Sequence, residues 1–239
     1  MLLFCFWGAA MPEDTTGMKS RARPAFEYIL FDLDETLYPR ECGLMTAIVE
    51  RILQFMVHKV GIPADDALEK KLSYNQQHGT ALRGLMHEFQ IDPLEYLAFV
   101  HDIKLADFLG ASPPLNQMLY DIPLRKIIFT NADHLHAERV LNVLQVRPHF
   151  EQIIDITNLN YKNKPDPLAY KYVLDTLGVP GERCIMVEDS PRNLLPAKDV
   201  GMTTVLVGGS GPSIAIDYAV PTIFHVGPVL KNLLMRQGH

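Results

Sequence analysis

The chain has 239 residues, 48% of them hydrophobic, and its 22 basic and 28 acidic side chains give a formal net charge of −6. That length accommodates one domain with a full core plus a sizeable insertion, and the acidic balance removes the overall basic field that would attract a nucleic-acid polymer. Cys5, Cys42 and Cys184 are odd in number and lack metal-ligand or CxxC spacing, which argues against a disulfide framework and for a reducing, cytoplasmic setting.

The first segment, MLLFCFWGAAMPEDTTGMKSRARPAF, opens on an apolar run too short to cross a bilayer. No basic residue precedes that run, so Ala9 and Ala10 make a poor export cleavage site. Residues 1–25 are expected to be a flexible extension, with Met11 or Met18 as alternative initiators, and no membrane partner is expected. From Phe26 onward, short β-branched or aromatic runs read as buried strands at 26–32, 125–131, 151–157, 183–189, 203–207 and 222–226. Helical spacing between them covers 134–146 and 167–178, the latter ending on Gly178. The alternation predicts an α/β fold with a Rossmann-like parallel sheet.

Residues after the first strand break that rhythm. Helical patterns run over 43–61, 64–79 and 93–103, placing a helical cap domain (41–108) above the carboxyl end of strand one, where open α/β sheets bind ligands. The core is then 26–40 and 109–239. Met45, Met56 and Met86 are expected to fill the cap interior, and Cys42 has no activating neighbour.

The strand ends carry the reactive groups. Asp32 and Asp34 follow strand one, Thr130 and Asn131 end strand two, Lys164 lies in the loop YKNKPDP, and Glu188 with Asp189 closes strand four. Carboxylates converging at one point repel unless a cation joins them, and an all-oxygen donor set points to Mg²⁺. With Thr and Lys alongside, such a site suits a phosphoryl dianion. Asp32 could then attack phosphorus and form an aspartyl-phosphate, while Asp34 serves the leaving group as acid and the incoming water as base. His134 and His136 face different sides of a helix start, which disfavours a metal pair there. His78 and His101 are either packed residues or substrate contacts. Ser190 and Pro191 read as the N-cap and first position of a helix.

The motifs DLDET, FTNAD, KPDP and VEDSPRN, in that order, resemble the signatures of the haloacid dehalogenase-like hydrolase superfamily. The resemblance implies Asp32 as nucleophile and metal ligand, Asp34 as acid/base with a metal-binding main-chain carbonyl, and Thr130, Asn131 and Lys164 as phosphate binders. It further implies Asp189 as a metal ligand, Glu188 as an outer partner of the metal, and Asn193 as an organiser of the last loop. The segments HGTALRGL, FVHDIKLADFL and RKIIFTNADHLHAERVL are similar to the pyrimidine 5′-nucleotidase branch. That likeness implies a pyrimidine nucleoside monophosphate as the small phosphorylated partner, with His78, Gly79, Thr80 and Arg83 of the cap facing it. A sugar-phosphate phosphatase or phosphomutase is the alternative within the superfamily. A phospho-aspartate signalling or binding module is the alternative outside it, and the position of the attacking aspartate after strand one rather than a middle strand argues against it.

Overall fold

Apolar runs unbroken by polar residues belong to strands covered on both faces, and that is where the chain puts them. The computed structural model describes residues 26–235 except Ser210 and Pro212; the expected N-terminal extension, 1–25, lies outside the described residues. Strands β1 (Tyr28–Phe31), β2 (Arg125–Phe129), β3 (Gln152–Ile154), β4 (Cys184–Glu188), β5 (Thr203–Val207) and β6 (Tyr218–Val220) form one sheet in the order β3-β2-β1-β4-β5-β6. Every pairing is parallel. Alternate residues feed two cores, with Ile29, Phe31, Ile128 and Val187 on one face and Tyr28, Leu30, Ile127 and Met186 on the other.

Helices α5 (Pro113–Asp121), α6 (His134–Val143), α7 (Pro167–Leu177), α8 (Pro191–Asp199) and α9 (Val226–Met235) accompany the sheet. Local chemistry fixes their ends. Asp166 caps α7 by accepting from the Leu168 N–H at 3.1 Å, Pro167 takes the first position, and Gly178 closes it at φ 68°. Ser190 occupies the N-cap position of α8, but its side chain makes no capping bond.

One expected strand is misplaced. Residues 222–226 are not extended: Ile223–His225 form a 3-10 turn that leads into α9, and the sixth strand is Tyr218–Val220, paired with Val205–Val207. Pro221 explains the switch, because it has no N–H to continue the ladder and so ends β6 one residue before the apolar run begins.

Between β1 and α5 lie α1 (Leu44–Phe55), α2 (Ala64–His78), α3 (Ala81–Phe89) and α4 (Pro93–Val100). Helix α1 continues through a π-helical turn, Met56–Val60, to Gly61 at φ 84°. Helix α3 was not foreseen; it starts where the Thr80 hydroxyl accepts from the Arg83 N–H. Inside the insertion, Phe55 meets Tyr96 edge-on at 5.1 Å, and Met56 is fully buried. The same core runs on into Phe31 and Val187 of the sheet. Two arginines tie the layers together through main-chain carbonyls. Arg192 of α8 donates to Asn75 O at 2.6 Å and Gln76 O at 2.9 Å, and Arg139 of α6 donates to His101 O at 2.8 Å and to Ile103 O. Among the described residues no helix is long and apolar enough to cross a membrane.

Candidate active site

Parallel register brings the reactive groups to one edge. Phe31 stands beside Ile128 of β2 and Val187 of β4, so Asp32, Thr130 and Glu188 all leave the sheet at its carboxyl end. The strand order reverses on either side of β1, which opens the crevice where such sheets hold ligands.

Lys164 is the electrostatic centre. Its side chain has no solvent exposure, and its Nζ donates at 2.7 Å to Asp32 Oδ1 and at 2.7 Å to Glu188 Oε2. Burial works against this ammonium, but Asp32 and Glu188 outweigh it and push its titration above the ordinary lysine value. One cation does not neutralise the cluster. Burial, then repulsion from Glu188, raises the Asp32 carboxyl to about 7 despite Lys164, and burial likewise raises Glu188 to about 7. Burial also raises Asp189. Oxygens of Asp32, Glu188 and Asp189 lie within 4.8 Å of one another. This set, hard oxygen donors with charge left uncompensated, fits a divalent cation such as Mg²⁺. Thr36 Oγ1 donates to Asp32 Oδ2 at 3.1 Å, and Arg40, on the surface, reaches Asp189 Oδ2 at 3.4 Å.

The Asp34 carboxylate turns away from that cluster, leaving any metal contact from this residue to its main chain. Tyr38 OH donates to Asp34 Oδ1 at 2.6 Å, and His136 Nε2 lies 3.0 Å from the same oxygen. Burial alone would raise this carboxyl; the charge and hydrogen bond of His136, with the Tyr38 bond, hold it at about 2. Neither Tyr38 nor His136 was singled out as a partner of Asp34. For His136 the signal was its place in the first turn of the helix after β2, a position that faces the crevice.

Thr130 is buried and lines the cleft, its Oγ1 accepting from the Ala132 N–H at 3.0 Å. Asn131 also lines the cleft, but both ends of its amide are engaged. Its Nδ2 donates to Lys164 O at 3.0 Å, and its Oδ1 accepts from Lys164 N at 2.8 Å. Asn131 therefore clamps the loop that carries the lysine. Asn193 borders the cleft, and its main-chain oxygen accepts from Tyr170 OH at 2.5 Å.

The four predicted contacts of the insertion divide into two pairs. Gly79 and Thr80 line the cleft. Gly79 packs so closely on the lysine loop that a Cβ would lie 2.2 Å from Asn163 Nδ2. His78 and Arg83 do not line it: His78 stacks on His87 at 5.4 Å, and Arg83 Nη1 donates to Asp166 Oδ2 at 2.9 Å, spending its charge on the core. Above the polar floor, the insertion supplies an apolar wall including Met45, Ile48, Ile52, Leu82, Leu97 and Val100, interrupted by Lys71, Asn75 and Tyr96. The cleft between floor and wall has a volume of about 270 Å³.

Comparison with known proteins settles the family. A haloacid dehalogenase-like hydrolase profile matches residues 26–201. The chain belongs to that hydrolase family. Phosphate metabolism protein 8 of Saccharomyces cerevisiae is 26% identical to this family member over 201 residues, 77% of this chain but 62% of that protein, so the chain spans less than two thirds of its relative's length. A solved phosphatase of the same family from Thermococcus onnurineus superposes with a TM-score of 0.58 at 23% identity, covering 86% of this chain and 98% of the other. L-2-haloacid dehalogenase of Xanthobacter autotrophicus superposes almost as well, with a TM-score of 0.57 at 16% identity over 87% and 99% of the two chains. The hydrolase fold is thus shared by enzymes that cleave different bonds, and the chemistry has to be read from the side chains.

Proposed function

We propose that the protein is a Mg²⁺-dependent phosphomonoesterase that works through an aspartyl-phosphate on Asp32, with pyrimidine nucleoside 5′-monophosphates as its preferred substrates. The observation that carries this reading is the buried Lys164 bridging Asp32 and Glu188 at 2.7 Å each, beside a second aspartate held apart from the cluster. A carbon–halogen bond has no use for that carboxylate cluster or for an acid on the leaving group.

Asp32 and Asp189, with the main chain of Asp34, would hold the metal, and Glu188, whose oxygens accept from Lys164 and the Ser190 N–H, would stand beside it as an outer partner. When bound, the metal would favour the ionised nucleophile and neutralise phosphoryl charge. Thr130, which lines the cleft, would bind a phosphoryl oxygen, and Lys164, buried behind Asp32, would add positive charge from below. An oxygen of Asp32 attacks phosphorus, the ester P–O bond breaks, and the leaving alkoxide takes a proton from Asp34. Asp34 then accepts a proton from the water whose oxygen attacks the aspartyl-phosphate, freeing Asp32 and inorganic phosphate. A carboxyl held low in the free protein gains its proton more readily once a dianion arrives beside it, because like charge disfavours the ionised form. Residues 41–108 act as the cap, excluding water while the intermediate exists.

Substrate preference rests on the wall of the cleft. A cleft of about 270 Å³ is at the small end of ligand pockets, which is compatible with a one-ring base. The test is inorganic phosphate released from UMP, CMP, AMP, GMP and sugar phosphates, with Mg²⁺ and with chelator, beside Asp32→Asn. Metal-dependent release favouring UMP and CMP and absent in the variant is expected. Preference for sugar phosphates would overturn the substrate assignment, and absence of release from every ester would overturn the reaction.

A further inference from the structure

Asp34 Oδ1 is a crowded oxygen. Tyr38 OH and the His136 imidazole both converge on it, at 2.6 and 3.0 Å, whereas Oδ2 accepts no hydrogen bond from any described residue. Two partners from different parts of the chain thus hold Oδ1 and leave Oδ2 free on a residue that lines the cleft. His136 is 1% exposed, and its Nδ1 is buried without a partner among the described residues, so Asp34 supplies the only polar contact of the ring. An imidazole buried merely to fill space has no reason to spend its one hydrogen bond on a carboxylate that is 102 residues away in sequence.

The ring is itself held on two sides. Asp133 caps α6 by accepting from the His136 N–H at 2.9 Å, which places residue 136 in the first turn. The other oxygen of Asp133 meets Nδ1 of His101, at the end of α4, and the His101 ring stacks on His136 at 4.1 Å with 22° between the planes. Arg139, one turn further along α6, fastens the carbonyl of His101. A residue of the insertion therefore forms one wall of the slot in which His136 sits.

We propose that His136 is a positioning residue for proton transfer by Asp34, and that His101 extends this control to the helical insertion. The proposal rests on the phosphomonoesterase reading. His136 does not touch substrate; with Tyr38 it anchors Oδ1 so that Oδ2 lies where the leaving oxygen departs. Stacking by His101 makes that alignment depend on the insertion being seated.

Leaving-group dependence distinguishes this role from a structural one. An alkyl phosphate needs a proton delivered to its poor leaving group, whereas para-nitrophenyl phosphate departs without one. The value of kcat/KM reports the first phosphoryl transfer for both. In the full chain with Mg²⁺, His136→Ala should lower kcat/KM on the alkyl ester by ~10–10²-fold, part of what acid catalysis contributes, and on the aryl ester by less than ~3-fold. His136→Gln, whose amide reaches the position of Nε2, should restore most of the loss; His136→Asn, whose amide stops at the position of Nδ1, should not. His101→Ala should show the same selectivity in weaker form. Equal losses on the two esters, no loss on either, or equal behaviour of Gln and Asn would overturn the proposal. If His136→Ala does not fold, the comparison of Gln with Asn decides alone. A wild-type protein that hydrolyses neither ester would sink the underlying reading, and this inference with it.

Discussion

Replacing Gly79 with alanine tests whether the insertion supports the lysine loop. Gly79 has φ 87° and ψ −33°, a conformation that a side chain occupies at a cost of about 1–3 kcal/mol. The new Cβ would also fall 2.2 Å from Asn163 Nδ2, 3.2 Å from Lys164 O and 3.3 Å from Pro165 Cδ. Asn163 is fully buried and donates through Nδ2 to Lys164 O at 2.7 Å, so it has nowhere to retreat without breaking that bond, worth about 0.5–1.5 kcal/mol. We expect a loss of about 2–4 kcal/mol in total, and with about 2–4 °C per kcal/mol for a chain of this size, a fall in Tm of roughly 5–15 °C. Thermal unfolding followed by circular dichroism measures it, and phosphate release below the transition should also fall, because the backbone of Lys164 has moved. A Tm within about 1 °C of wild type would refute the contact and with it the argument that position 79 is glycine for packing.

Arg83→Ala removes a half-exposed ion pair, so stability should change by no more than about 1 kcal/mol and KM should stay within about 2-fold; a tenfold rise in KM would put Arg83 in contact with substrate after all. Asn131→Ala removes its two bonds to the Lys164 main chain and leaves only that from Asn163, and the shifted ammonium should cost up to about 10²-fold in kcat; unchanged kcat would mean that the loop holds itself. Mg²⁺ at 100 times its Kd should add about 2.7 kcal/mol to stability, seen as a raised Tm without any activity measurement. Asp189→Asn should abolish that rise, and a rise that survives would remove Asp189 from the metal site.

Much of the fold was legible because β1 to β5 are short apolar runs, and buried parallel strands have no other way to look. The convergence of the candidate site was legible to the same extent: Asp32, Thr130, Glu188 and Asp189 lie at strand ends, Lys164 lies in the loop beyond β3, and parallel register makes strand ends neighbours. What was missed depends on distance or on a single residue. Thr222–Val226 has the composition of a strand, but Pro221 ends the ladder before it. Helix α3 hid in a segment read only as facing the substrate, since Gly79 and Thr80 look the same whether they contact a ligand or start a helix. The partnership of His136 with Asp34 joins two motifs across the sheet, and no local periodicity encodes a contact of that kind.

The two core arginines that reach up to the insertion grip carbonyl groups, not side chains. Arg192 reads the end of α2 and Arg139 the end of α4 through atoms that every amino acid shares. Most side chains on those helices can therefore be exchanged without disturbing these anchor points. If the proposed chemistry holds, the wall that would meet the leaving group can drift in composition while the floor of strand-end residues stays fixed, and a new substrate range needs only a relined roof on the same moorings.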